Sequence, residues 1–255
     1  MKMIRNILVA VDGNDDREAF IAEVATVAKD TGIQVTLLGI LDTPPDGQRW
    51  NAQSPDLQQW MMEEQLEKMK AISSELAEKR IQATIKQLRG KPYLEIIREA
   101  LRGDYDLIMK PAKSEPAVKT ILFGSTDMQL FRLCPGPVWA FKPSTNTELR
   151  RIMIAVDLLA YDREQTALTD KVLQWGKHVA GLAGSELHVI HIWDIYGETT
   201  LRGRTFLADA VDKLVQDEER EHRQWLNEAL EKNGLKQNEI QIHFYKGVAN
   251  KLIPE

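Results

Sequence analysis

The sequence predicts an α/β protein made of two tandem domains, each an open parallel sheet that is doubly wound, with helices on both faces. Three observations predict this fold class. The 255 residues exceed the usual domain size of ~100–150 residues. A buried-strand pattern occurs twice along the chain. The predicted strands alternate with helices rather than with hairpin turns, which is the order that parallel pairing requires.

The opening strand of each domain gives the strongest signal. Ile7 to Asp12 is an apolar run closed by an acid, typical of a strand that helices bury on both faces. Ile152 to Asp157 repeats this pattern 145 positions later, and such a repeat outweighs local propensity. Helical periodicity follows each run, at Ala19 to Ala28 and at Leu168 to Val179.

The next elements keep the same order in both copies. Each copy continues with a second strand that ends in aspartate, a loop, a long helix, a third strand and a turn glycine. In copy one these are the strand 35–42, the helix 57–79, the strand 83–88 and Gly90. In copy two they are the strand 187–194, the helix 206–232, the strand 240–245 and Gly247.

Only the first copy contains the rest of such a domain. It continues with a helix at 93–101, a fourth strand at 106–109, a helix near 125–133 and a fifth strand at 138–141. Copy one runs 52 residues beyond Gly90 to Lys142, whereas copy two runs 8 residues beyond Gly247. We expect a complete domain at 1–143, a polar linker at 144–150 and a second domain at 151–255 that stops before its fourth strand.

Composition limits which binding partners and which cellular compartment are expected for this chain. The formal net charge of −5 and the pI of about 5.7 leave no global positive field, which argues against nucleic acid as a partner. Cys134 is the only cysteine, so a reducing compartment is expected. No apolar run has the length of a signal peptide or approaches the ~18 residues of a membrane span. We therefore expect a cytoplasmic protein without a membrane partner.

Several motifs occur in an order that resembles the universal stress protein family. They are the strand ending in Val11-Asp12, the turn at Gly90, the Gly124-Ser125 pair and the segment Cys134 to Val138. The segments 105–110 and 133–139 are most similar to tandem, E-type members of that family. The resemblance spans the whole chain and implies Rossmann-like domains of the adenine nucleotide alpha hydrolase-like kind.

The resemblance also implies where a nucleotide would lie. ATP-binding members carry two glycines three apart after the fourth strand, then nine residues, then Gly-Ser or Gly-Thr. Glycines let backbone N–H groups approach phosphate oxygens, and the following helix adds a partial positive charge. In this sequence Lys110 and Lys113 hold the glycine positions, and ten residues precede Gly124. The phosphate-binding loop therefore looks degenerate.

Two interpretations of these lysines remain open. In one, Lys110 and Lys113 are solvated loop charges in a copy that has lost its affinity for nucleotides. In the other, they and Lys119 meet an anion as point charges, with ammonium groups in place of backbone donors. ATP or another nucleotide is therefore an open alternative as the ligand, and no cofactor is assigned.

Two aspartates complete the candidate ligand-binding residues. Asp12 and Asp157 follow the first strand of each copy, beside the switch point at which doubly wound sheets bind ligands. The resemblance implies that this aspartate lies near adenine and ribose, although an acid here is also common as a turn or helix cap. The predicted ligand-binding set is Asp12, Lys110, Lys113, Gly124, Ser125 and Asp157.

No catalytic residue and no metal ligand are assigned. His188 and His191 lie three apart on a predicted strand, so they point to opposite faces and are unsuited to ligating one metal. The other three histidines stand alone in the sequence. Cys134 precedes a proline at the start of a buried strand, which is typical of a small core residue.

These observations predict a non-catalytic stress-response protein that binds a small ligand above the strand ends of its first domain. One alternative is a nucleotide-binding protein with weak ATPase or nucleotidyl-transfer activity, since related folds host such chemistry. A second alternative is a pure interaction module. The fifth strand, Val138 to Phe141, is an apolar edge without a matching strand in copy two, so we also expect a homodimer formed by strand pairing.

Overall fold

The fold consists of two compact units, Met1–Thr147 and Glu148–Glu255. The structure is a computed structural model that describes residues 4–11, 17–28, 32–42, 55–112, 124–142, 150–158, 163–203 and 208–253. Each unit contains one parallel sheet with helices, so the predicted α/β fold class is confirmed. Within these ranges no helix is both long enough and apolar enough to cross a membrane.

The first unit alternates strands and helices. They are β1 (Asn6–Val11), α1 (Arg17–Val27), β2 (Gln34–Leu41), α2 (Pro55–Glu78), β3 (Ala83–Arg89), α3 (Pro92–Arg102), β4 (Leu107–Pro111), α4 (Ser125–Leu133) and β5 (Val138–Phe141). The strands pair in parallel in the order β3-β2-β1-β4-β5. Leu8 and Ala10 of β1 pack against α3 and α4, while Ile7 and Val9 on its opposite face are completely buried. This double burial explains the uninterrupted apolar run.

The second unit contains a three-stranded parallel sheet in the order β6-β7-β8. Its elements are β6 (Arg151–Val156), α5 (Arg163–Ala183), β7 (Glu186–Trp193), α6 (Glu198–Arg202), α7 (Ala208–Lys232), β8 (Gln241–Lys246) and α8 (Ala249–Leu252). Leu173 of α5 and Leu226 of α7 pack with Ile154 and Val189 of the sheet. The short helix α6 stands where the sequence predicts an irregular loop.

The two turn glycines have the same geometry in both units. Gly90 follows β3 with a φ of 147°, and Gly247 follows β8 with a φ of 151°. The N–H of Gly90 donates to the Leu41 carbonyl oxygen at 3.1 Å, and the N–H of Gly247 donates to that of Trp193 at 2.8 Å. Because residues with side chains rarely adopt such φ angles, this turn explains why glycine recurs in both copies.

Candidate functional site

The strand order of the first unit reverses between β1 and β4, and doubly wound sheets bind ligands at the carboxyl ends of the strands at such a point. Lys110 lies in β4, and Gly124 and Ser125 stand at the start of α4. The predicted ligand residues Asp12 and Lys113 fall outside the residues that the structure describes. The described part of the site in the first unit is formed by β4 and α4.

Lys110 is a strand residue with a buried side chain. β4 continues through Lys110 and Pro111, which are in register with Ala140 and Phe141 of β5. The Lys110 side chain is 2% exposed, and its ammonium donates a hydrogen bond to the Pro111 carbonyl oxygen at 2.7 Å. The interpretation of Lys110 as a solvated loop charge is wrong, because pairing with β5 extends β4 two residues beyond Met109 and the side chain is buried.

The charge of Lys110 is compensated inside the protein by Asp127. The Nζ of Lys110 lies 2.9 Å from Oδ1 of Asp127, whose side chain is 1% exposed. The contact is an ion pair that lacks the alignment of a regular hydrogen bond. Because an isolated buried charge is costly, each of these side chains needs the other.

Asp127 also occupies the amino end of α4. It is the third residue of this helix, and its Oδ2 accepts a hydrogen bond from the Gly124 N–H at 3.0 Å. Backbone donors at a helix N-terminus, together with the helix dipole, are what a bound phosphate uses. An internal carboxylate therefore takes up a donor that an anion would need. The sequence analysis did not single out Asp127, although an acid in the first turn of the helix predicted near 125–133 is typical of such a contact.

Asp157 lies in the second unit, directly after β6, and is exposed. Its backbone carbonyl oxygen accepts a hydrogen bond from Oγ1 of Thr169 at 3.1 Å, which ties the end of the strand to α5. Asp157 also lines a cavity of about 350 Å³ between α5 and α7. The predicted ligand residues thus belong to two separate units.

Four of the five histidines form two pairs in the second unit. Nδ1 of His188 lies 2.9 Å from Nε2 of His243, and Nε2 of His191 lies 2.9 Å from Nδ1 of His222. The prediction that His222 and His243 stand alone is therefore wrong. A helical stripe of His222, Trp225 and Leu226 on one face of α7 was the available signal.

The hydrogen-bond partners of His191 and His222 determine which of their ring nitrogens carry protons. Nδ1 of His191 lies 2.9 Å from the Val156 carbonyl oxygen, which only accepts, so this nitrogen carries the proton. Nε2 of His191 then accepts a hydrogen bond from Nδ1 of His222. Burial lowers the pKa of both His191 and His222, so both are neutral at pH 7. The described residues contain no group of three histidine, cysteine or acidic side chains suited to a metal ion.

An open parallel sheet with a crevice at its switch point defines the class of Rossmann-like α/β proteins. Within that class, the sequence model of the universal stress protein family matches residues 3–142 of this chain. The chain belongs to the universal stress protein family. Membership supports a role in stress response, and proteins of this family are in general not classical enzymes.

Relatives and solved structures agree with this family. Universal stress protein E of Escherichia coli is 26% identical over 263 aligned residues, which cover 100% of this chain and 81% of the relative. A putative universal stress protein of Pseudomonas aeruginosa superposes with a TM-score of 0.70 at 21% identity, covering 98% of this chain and 77% of that chain. A universal stress protein of Archaeoglobus fulgidus gives 0.61 at 17% identity, with 97% and 80% covered. At such identities the structures show a common fold.

Proposed function

We propose that the chain is a non-catalytic stress-response protein whose first unit binds a small ligand without holding a triphosphate. The observation that supports this most directly is the contact chain from Lys110 through Asp127 to the Gly124 N–H. Where ATP-binding members use glycines to bring backbone donors to phosphate, this chain has a buried ion pair. The internal carboxylate at the helix end supports the proposal that the phosphate-binding loop is degenerate.

In this proposal the ligand lies over the carboxyl ends of β1 and β4. Asp12, Lys113, Gly124 and the exposed Ser125 contact it. Lys110 acts through Asp127 rather than by direct contact, because its side chain is buried and paired. Asp157, the remaining predicted ligand residue, belongs to the second unit and is proposed to contact a ligand there.

Cys134 carries the only thiol of the chain, and thiolates are the strongest nucleophiles among protein side chains. Its surroundings favour a structural role. Its side chain is half-buried, and burial raises the pKa of its thiol. At neutral pH the residue is therefore held as the thiol, whereas the thiolate is the reactive form. This supports ligand binding without covalent chemistry.

Calorimetry of the full chain with ATP, together with native mass spectrometry of the freshly purified protein, tests the proposal. We expect no saturable ATP binding at micromolar concentration, no ATP turnover, and a retained small molecule other than ATP. Lys110→Ala is compared with Lys79→Ala, which removes the same charge from an exposed position at the end of α2.

Two results would contradict the proposal in favour of a nucleotide-binding protein. One is micromolar ATP affinity that Lys110→Ala abolishes and Lys79→Ala preserves. The other is ATP turnover that is lost in the variant Asp12→Ala. A mass spectrum without any bound molecule, together with co-purifying proteins, would instead favour an interaction module.

A further inference from the structure

Two histidines of the second unit lie side by side on one face of its sheet. Nδ1 of His188 on β7 is 2.9 Å from Nε2 of His243 on β8. His188 is in register with Gln241, and His243 follows Gln241 by two residues. Because residues two apart on a strand share a face, the two imidazoles are diagonal neighbours on adjacent strands. The sheet therefore holds two potential metal ligands close together.

Solvent reaches the sheet around this pair. Met153 of β6 is in register with His188, and Tyr245 follows His243 by two residues on the same face. Met153 and Tyr245 are each 49% exposed. The side chain of His188 is 14% exposed, and His243 is half-buried. An ion can thus approach the two rings from this face.

The other histidine pair offers no such access. His191 is 1% exposed, and its Nδ1 is 2.9 Å from the Val156 carbonyl oxygen. Its ring also contacts Phe244, while the ring of His222 stacks on Trp193. Water has no room to complete the coordination of a metal ion among these rings. Of the two pairs, only that of His188 and His243 suits an exchangeable ion.

The separation of the two ring nitrogens suits a metal ion with right-angled bonds. Two nitrogens that each lie ~2.0–2.1 Å from one ion are ~2.9 Å apart when the angle at the ion is 90°. The nitrogens of His188 and His243 already have this separation. The ring planes differ by 12°, with centroids 5.2 Å apart, so the nitrogens now face each other. Each ring has to turn about its last side-chain torsion, which is broad in histidine.

Glu186 orients the His188 ring in the way that metal ligation requires. Its Oε2 lies 3.7 Å from Nε2 of His188, and the Glu186 side chain is 74% exposed and free to move closer. Nε2 of His188 is buried and has no hydrogen-bond partner among the residues that the structure describes. A metal-bound histidine usually donates its other N–H to a carboxylate or a carbonyl oxygen. This arrangement places the proton on Nε2 and leaves the lone pair on Nδ1.

We propose that His188 and His243 bind Cu²⁺ on the open face of the second sheet. Cu²⁺ forms the strongest complexes with nitrogen ligands among the divalent first-row metals, and it prefers square-planar or tetragonal sites. The described residues contain no group of three histidine, cysteine or acidic ligands, so water completes the coordination. The ion takes the place of the proton between the two rings, and His243 then carries its proton on Nδ1. The site is independent of the ligand proposed for the first unit.

Calorimetry of the untagged full chain with Cu²⁺, in a buffer that contains glycine as a competing chelator, tests the proposal. We expect saturable binding of a single ion. The electron paramagnetic resonance spectrum of the complex should show coupling to imidazole nitrogens, which is a readout that needs no variant. A spectrum without coordinated imidazole would overturn the proposal.

Histidine variants locate the ion. His243→Gln should weaken Cu²⁺ binding by at least about tenfold, because only one imidazole ligand remains. His178→Gln on α5 and His222→Gln in the buried pair are the matched controls and should bind Cu²⁺ as the wild type does. Unchanged affinity in His243→Gln, or an equal loss in either control, would show that the ion binds elsewhere.

Discussion

Lys110 shows how the burial of one side chain determines which charges the first unit exposes at the carboxyl ends of its strands. The ammonium group does not extend into solvent, because Asp127 holds it at 2.9 Å in the interior. The same carboxylate accepts from the Gly124 N–H, so strand β4 and helix α4 are connected through one charged pair. The lysine is thereby part of an internal contact between β4 and α4.

We predict that Lys110→Met destabilises the first unit by about 3–5 kcal/mol, the usual cost of leaving one buried charge without its partner. The double variant Lys110→Met with Asp127→Asn should recover most of that loss, because the asparagine oxygen still accepts from the Gly124 N–H. Hydrogen exchange of β4 and α4 peptides in urea measures both. Equal stability of wild type and Lys110→Met would refute an energetic role for the pair.

Lys110 also shows why a local pattern does not suffice for this site. The apolar run of β4 ends at Met109, so the strand is predicted to end there. The strand ends at Pro111 because it pairs with β5, and the charge of Lys110 is compensated by Asp127, which lies 17 positions after Lys110 in the chain. The sequence pattern shows which residues are apolar, but a charge compensated by a distant partner leaves no periodic signal.

At the scale of elements, the sequence predicts most of the structure because the strands of this fold are buried on both faces. The predicted fifth strand, Val138 to Phe141, matches β5 at both ends. Elements with weaker burial were harder to find. The helix α6 has no buried residue, so no apolar stripe marks it. His222 lies in a stretch of α7, residues 217–223, in which acidic and basic side chains dominate, so the pattern indicates a solvated helix face. Its partner His191 lies on another element.

The His191 and His222 pair predicts a pH dependence of the second unit. Burial lowers the pKa of both groups below 6.5, although Asp157 draws a proton toward each of them. Unfolded histidines therefore take up protons first as the pH falls, and the unfolding free energy decreases from pH 7.5 to pH 5.5. Each group contributes at most about 1.4 kcal/mol per pH unit.

Urea unfolding of the second unit, followed by hydrogen exchange of β7 and α7 peptides, measures this dependence. His222→Gln should flatten it, because one of the two proton-binding groups is gone. His178→Gln on α5 removes a histidine outside the pair and is the control for the loss of a histidine as such. An identical slope in wild type and His222→Gln would disprove the assignment.

At the scale of the whole molecule, the two units contain similar parallel sheets but differ in the side chains beside the strand ends. At the amino end of α4 in the first unit, Asp127 accepts the hydrogen bond of the Gly124 N–H. The cavity of the second unit lies between α5 and α7, and its described lining includes Trp225 together with acidic and basic side chains. The same repeat thus supports a carboxylate contact at a helix end in one unit and a lined cavity between two helices in the other.

The last prediction, self-association of the chain, concerns the edge strand of the first sheet. β5 lies at the edge of the described sheet, and α4 beside it exposes Phe131 by 44% and Leu133 by 55%. An apolar edge of this kind favours pairing with a second copy about a two-fold axis. Light scattering should give twice the chain mass of 29.1 kDa at high concentration. Leu133→Glu should shift the mass toward the monomer, whereas Leu168→Glu on α5, the same change at an equally exposed site, should not. A monomer at every concentration would count against the dimer.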